Sequence, residues 1–160
     1  MISTFELSEA HREHQEAVRQ FCEEEIEPYV DEYESSGTFP ADVIERVAEA
    51  GFNGVQYGTE YEGLGLDYRS YALTIEELAR SWNLIAGAAS VAGSLVGYPL
   101  HEFGDEWQRE EWLTRIFAGE WLPALSLTEP EAGSDAASLE TTAIRRGDEY
   151  VLNGEKVWTT

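Results

Sequence analysis

The chain has 160 residues, 42% of them apolar and 12% aromatic, enough for one ordinary core or for one complete domain and the first part of a second. Ten Lys and Arg stand against 32 Asp and Glu, and the net charge of -22 repels nucleic acid and anionic membrane surfaces. Such charge favours disorder in a chain poor in large side chains, but five Trp argue for a folded core with the acids on its surface.

The opening stretch MISTFELSEAHREH has no basic segment followed by an apolar run, so no signal peptide and a cytoplasmic location are expected. Between Leu7 and Tyr29, the residues Leu7, Ala10, His14, Ala17, Val18, Phe21, Cys22, Ile26 and Tyr29 recur at three- and four-residue spacing. This predicts an amphipathic helix with Ser8 as cap and Glu9 at its positive end. Cys22 is the single cysteine, can form no intrachain disulfide and reads as core filler. Ser35, Ser36 and Gly37 make a break before a second helix at Pro40–Ala50, whose buried edge is Val43, Ile44 and Val47 and which ends at Gly51. Residues 54–66, with Tyr57, Tyr61, Gly58, Gly63 and Gly65, read as a loop that covers something. Asp67 then caps a third helix in which Tyr71, Ile75, Leu78 and Trp82 face a core while Glu76 and Glu77 turn to water.

The uncharged run Leu84–Leu100 is 17 residues long. That is short of the roughly 20 that a membrane span needs, and the run reads as the central helix of a bundle. Its small residues, among them Gly87, Ala88, Ala89, Gly93 and Ser94, either let helices approach closely or leave a channel for an apolar ligand. A further helix is predicted over Asp105–Ala118. From Trp121 the pattern turns to β, with Trp121–Leu127, Thr141–Arg146, Glu149–Leu152 and Lys156–Thr160 as strands. Gly147-Asp148 and Asn153-Gly154 read as tight turns of positive φ. The expected fold is α+β: an N-terminal all-helical domain over residues 1–120, then the first strands of an antiparallel β domain over residues 121–160. Acids scattered through every predicted helix, with Lys156 the one lysine, resemble salt adaptation and suggest a halophilic cytoplasm; the plainer reading is an acidic mesophilic protein. His11, His14 and His101 complete no metal-ligand spacing.

The stretch Leu125-Ser-Leu-Thr-Glu-Pro-Glu-Ala-Gly-Ser-Asp135 offers a strand end, a Pro-bounded turn and a compact loop of hydroxyls and backbone N–H groups. Such a loop can bind a flat polar ring, the glycine admitting close approach; equally, it can be an ordinary turn whose Ser and Asp cap backbone groups.

Thr128-Glu-Pro-Glu-Ala-Gly-Ser-Asp135 resembles the TEPxxGSD signature of the acyl-CoA dehydrogenase family, and Tyr150-Val-Leu-Asn-Gly-Glu-Lys-Val-Trp-Thr-Thr160 resembles that family's YxxNGxKxWxT segment. The likeness continues upstream through Phe39-Pro-Ala, Glu60-Tyr-Glu-Gly-Leu-Gly65, Ile75-Glu-Glu-Leu-Ala79 and Phe103-Gly-Asp-Glu-Trp-Gln108, and so covers nearly the whole chain.

The resemblance implies an N-terminal helical domain, a small β domain and a second helical bundle, with FAD between the last two. It places Leu125, Leu127, Thr128, Gly133 and Ser134 at the flavin, Thr128 on the pyrimidine side and Ser134 also at the CoA portion of the substrate. Trp158 flanks the flavin, with Thr159 beside it and the Thr160 hydroxyl near N5. Gly87, Ala88, Val91 and Leu95 of the uncharged helix line the acyl chain. The implied reaction is α,β-dehydrogenation of an acyl-CoA to a trans-2-enoyl-CoA, with electron-transferring flavoprotein as acceptor in a homotetramer. The family keeps its glutamate base in the C-terminal bundle, so no catalytic residue is expected here; Glu129 matches a structural glutamate. The chain is therefore expected to be an N-terminal portion, inactive alone. A non-enzymatic interaction module, or a relative with acyl-CoA oxidase or nitroalkane oxidase chemistry, is the alternative.

Overall fold

In the computed structural model, which describes residues 6–159, Ser8 caps helix α1 (Glu9–Glu25). Its hydroxyl accepts from the His11 amide at 3.2 Å, and the His11 ring accepts from the Ser8 amide. The apolar spacing turns Val18, Cys22 and Ile26 inward, where all three are buried. The helix expected to reach Tyr29 ends at Glu25, because the approach of Pro28, which has no N–H to donate, tightens the chain into a 3₁₀ turn at Glu27–Tyr29. A short helix that the spacing does not announce, α2 (Val30–Ser36), follows and ends at Gly37 with φ of 66°. Helix α3 (Ala41–Glu49) starts from Pro40 and is followed by Gly51 at φ of 79°.

Helix α4 (Tyr68–Ser81) is capped by Asp67, which accepts from the Ser70 amide at 2.9 Å, and packs along α1. Leu78 and Trp82 are buried as their spacing predicts. Glu77 is not turned to water: it lies in the seam with α1, 2% exposed. Arg19 donates to it at 2.8 and 3.1 Å and Gln15 at 2.8 Å. A buried carboxylate survives only with such partners, and these lie some sixty residues away, beyond the reach of local periodicity.

The uncharged run belongs to a 21-residue helical stretch, Asn83–Phe103, made of α5 (Asn83–Ser90), a π turn (Val91–Val96) and α6 (Gly97–Phe103). It is not a wrapped central helix. Only 39% of its apolar stretch is buried, the first part against α3 and α4 and the later part against the segment that holds Leu113, Ile116 and Phe117, and Leu84, Leu95, Tyr98 and Phe103 stand exposed. A helix apolar all round needs cover on every side, and the helices of this unit leave part of it open. At 21 residues it also reaches the length of a membrane span, which corrects the argument from 17. The loop before α4 folds on itself through Leu64 N to Gly54 O, Gly65 N to Tyr57 O and Leu66 N to Val55 O. What it covers is a second small core, in which Tyr57 packs with Ala92, Leu113, Ile116 and Phe117. Tyr57 Oη and Gln56 Nε2 both donate to the Gly93 carbonyl in the π turn, at 2.7 and 3.0 Å. The predicted last helix is present as α7 (Glu106–Gln108), a second π turn (Arg109–Leu113) and α8 (Thr114–Phe117).

The chain divides into two units, Met1–Pro123 and Ala124–Thr160. In the second, β1 (Thr142–Arg146) pairs antiparallel with β2 (Glu149–Asn153) through Gly147, which has φ of 66°. Of the four predicted strands these two form a ladder. The segments around Leu125–Thr128 and Lys156–Trp158 are joined by one backbone bond, Val157 N to Thr128 O at 2.9 Å. Nor is Asn153-Gly154 a turn: Asn153 is the last ladder residue, opposite Thr142, and Gly154 is small because a Cβ there would strike Thr141.

Candidate functional site

The run Leu125–Thr128 leads into a tight turn that Glu129 and Ala132 close with reciprocal backbone bonds of 3.0 and 3.2 Å. Gly133 follows with open space where a Cβ would be, and Ser134 is exposed beside it. Under the turn the Glu129 carboxylate, 6% exposed, gathers three parts of the unit. It accepts from the Glu140 and Thr141 amides at 2.7 and 3.0 Å and from Lys156 Nζ at 2.7 Å. Lys156 foremost, then Thr141 and the Glu140 amide, hold its carboxyl at about 2, well below the ordinary carboxylate range. Lys156 Nζ also donates to the Leu127 carbonyl at 2.9 Å.

The first segment thus runs beside the last. Ser126 Oγ lies 3.0 Å from Thr159 Oγ1, Leu127 is tied to Lys156, and Thr128 to Val157. Leu125 and Thr128 are half-buried, while Leu127 (48%), Gly133, Ser134, Trp158 and Thr159 are exposed. Trp158 stands apart in two ways: its indole is 89% exposed, and its backbone has φ of 59°, the left-handed region that a bulky side chain rarely enters. Thr160 lies outside the described residues. In the helical unit Gly87 and Leu95 are exposed, Ala88 is half-buried and Val91 is buried; a Cβ on Gly87 would meet nothing within 4 Å.

Chemically, the second unit offers a bare indole, an open glycine and hydroxyls at Ser126, Thr128, Ser134 and Thr159, a set that fits a flat heteroaromatic ring with hydrogen-bonding edges. The carboxylates whose pKa moves, Asp42, Asp67, Glu77 and Glu129, all move down, each with a hydrogen-bond donor as the largest cause. No cluster of metal-ligating side chains occurs among the described residues. The residues that sequence reading passed over are Ser126 and Lys156. The signal for Lys156 was present: it is the one lysine among ten basic residues, set inside a motif.

Comparison with known proteins bears on the whole chain. The family profile described as "Acyl-CoA dehydrogenase, N-terminal domain" matches residues 8–120, and "Acyl-CoA dehydrogenase, middle domain" matches residues 124–160. The chain belongs to the acyl-CoA dehydrogenase family. Within it, the chain is 40% identical over 156 residues to the probable acyl-CoA dehydrogenase YngJ of Bacillus subtilis, covering 98% of this chain and 41% of that one. It is 40% identical over 159 residues to the subunit CarC of the caffeyl-CoA reductase-Etf complex of Acetobacterium woodii, covering 96% and 41%. A glutaryl-CoA dehydrogenase of Mycobacterium smegmatis, solved in complex with FADH2, superposes with a TM-score of 0.89 at 33% identity, covering 96% and 39%. The chain therefore spans about two fifths of the length of these acyl-CoA dehydrogenase relatives. The resemblance read from the two motifs holds, and so does the α+β expectation of a helical domain followed by antiparallel strands.

Proposed function

We propose that this chain carries part of the flavin site and the acyl-chain wall of an FAD-dependent acyl-CoA dehydrogenase that converts an acyl-CoA thioester to its trans-2-enoyl-CoA. The observation that carries the reading is Trp158, an almost fully exposed indole on left-handed backbone, next to the segment of the TEP motif. Strained backbone and bare aromatic surface are both costly, and a stacked ring ligand gives that arrangement a use. FAD, when bound, accepts the β-hydrogen of the substrate as hydride; the residues of the chain supply position. Trp158 flanks the ring, Leu125 and Leu127 give it apolar contact, and the Thr128 hydroxyl bonds its pyrimidine side. Gly133 admits close approach, Ser134 would serve both flavin and CoA, and Thr159 would complete the edge, with Thr160, which lies outside the described residues, assigned there by the motif alone. Gly87, Ala88, Val91 and Leu95 form the wall along the acyl chain, their small members leaving room for it. No residue of the chain is assigned as base. Electron-transferring flavoprotein as acceptor and a homotetrameric assembly belong to the same reading. The equal identity to a dehydrogenase and to CarC favours testing the reductive direction, enoyl-CoA to acyl-CoA, beside the oxidative one.

Titration of FAD into the 160-residue chain, followed by flavin fluorescence, tests the proposal. Weak but saturable binding is expected, lost in Trp158→Ala at unchanged far-UV circular dichroism, with no turnover of butyryl-CoA or crotonyl-CoA. Equal binding by wild type and variant, or none by wild type, overturns the flavin reading. Stoichiometric FAD with dye reduction by butyryl-CoA overturns the expectation of inactivity.

A further inference from the structure

We propose that Lys156, paired with Glu129, is a positioning residue that sets the register between the two segments facing the flavin; this rests on the flavin reading above. Among the described residues the two segments have no ladder between them. Their main chains there share a single bond, Val157 N to Thr128 O, and one backbone bond leaves a pair of extended segments free to pivot and slide. Beside that bond stands one ammonium group. Lys156 Nζ reaches the Leu127 carbonyl at 2.9 Å and Glu129 Oε1 at 2.7 Å, so it holds the main chain on one side of Thr128 and the side chain on the other. Glu129 is in turn anchored by the Glu140 and Thr141 amides at the entry to β1, a part of the unit that has its own ladder.

The chain of support therefore runs from the hairpin through Glu129 and Lys156 to Leu127 and Thr128, and at Lys156 it passes two residues from Trp158. Charge-assisted bonds in a site this shielded are stronger and more directional than a neutral backbone pair. The choice of side chain points the same way. Every other basic residue is arginine, whose planar fork suits carboxylates. Here a compact tetrahedral donor on a flexible stem is used, and it serves a carbonyl and a carboxylate that lie in different directions.

The test uses Lys156→Met, which keeps the stem and removes the donors, and Glu129→Gln, which removes the charge and keeps one acceptor oxygen, enough for one of the Glu140 and Thr141 amides. In the ligand-free chain, amide exchange by NMR is expected to quicken at Val157 by about tenfold in either variant, the loss of one charge-assisted bond, while the β1–β2 ladder keeps its protection. With FAD, the dissociation constant is expected to rise by about tenfold and the visible circular dichroism of the bound flavin to change. Unchanged Val157 exchange overturns the proposal, as does equal loss of protection through the whole hairpin, which marks a merely structural pair. Quickened Val157 exchange with unaltered FAD affinity and spectrum overturns the link to the flavin. Failure of the wild type to bind FAD overturns the flavin reading, and Val157 exchange still decides the role of the pair in setting the register.

Discussion

Phe117 is fully buried, and its ring stacks on Tyr57 with centroids 4.7 Å apart. A Cβ at Gly54 would lie 2.8 Å from that ring, so the phenylalanine requires a glycine there; at Gly97 a Cβ would lie 3.1 Å from the ring but meets the Ala92 carbonyl oxygen first, at 2.5 Å. Phe117→Ala is expected to cost about 3–5 kcal/mol, and Gly54→Ala about 1–3 kcal/mol by overpacking. In the Phe117→Ala background the cost of Gly54→Ala should fall, because the ring it strikes is gone; the Gly63 Cα at 3.2 Å keeps part of it. Urea unfolding of the four proteins measures the cycle, and strict additivity would refute the contact. The sequence marked this glycine-rich stretch as a covering loop from its composition, but not what it covers, since Phe117 lies some sixty residues further on. The same limit applies at the candidate site. The motif residues Thr128, Gly133, Ser134 and Trp158 were legible because their types and order are distinctive. The Glu129–Lys156 pair beneath them was not, because an ion pair is a fact of space and the chain offers 32 acids to choose from.

Helices α1 and α4 are where periodicity reads best and where it also misleads. The three- and four-residue spacing placed Val18, Cys22, Ile26 and Leu78 inside, because the helical repeat repeats a side-chain direction whatever the rest of the chain does. It said nothing of the polar row in the same seam: His11 with Asp67, His14 with Thr74, and Gln15 and Arg19 with Glu77. Nor could spacing show the π turns, each of which shifts the phase of the residues after it. The polar row makes stability depend on pH. Thr74 donates its hydroxyl to the Ser70 carbonyl, so its oxygen is left to accept from His14 Nε2 at 2.8 Å, which suits the neutral ring. Burial foremost lowers the His14 pKa from 6.5, against the Ser70 carbonyl and Asp67, which raise it, while His11 nearby lowers it further. The unfolded chain therefore takes up this proton first, and the native state should lose stability as pH falls below about 6.5 until the folded group protonates too. Asp67 acts later. The Ser70 amide foremost, then His11, hold its pKa at about 2, so its contribution is present above 3.8 and fades as pH falls from there through 2. Melting temperature recorded between pH 7.5 and 5 should decline in the wild type, and more shallowly in His14→Gln; parallel curves would rule out His14 as the source.

At the scale of the whole molecule apolar side chains stand exposed along Asn83–Phe103 and at Trp158, and around them lies a charge of -22. Salt acts on that charge in opposing ways. The ion pairs of Arg19, Arg46, Arg80, Arg115 and Lys156 lose attraction as salt is added, but exposed pairs are worth little each, and those at Glu77 and Glu129 are shielded from solvent. Repulsion has the greater reach, since 32 acids face 10 bases and no arrangement of the bases can neutralise most of them. Raising ionic strength from about 0.1 to 1 M shortens the screening length from about 10 to about 3 Å, within the spacing of neighbouring surface carboxylates. The native state concentrates these charges more than the unfolded chain does, so screening should favour folding, and the melting temperature should climb with KCl across this range. Arginine-to-lysine composition and net charge only suggest adaptation to a salty cell; the slope of that curve tests it. A curve that is flat, or that falls because lost ion pairs outweigh relieved repulsion, would return the acidity to ordinary surface chemistry, whereas a rise with KCl that an uncharged osmolyte of equal strength does not reproduce would trace it to charge.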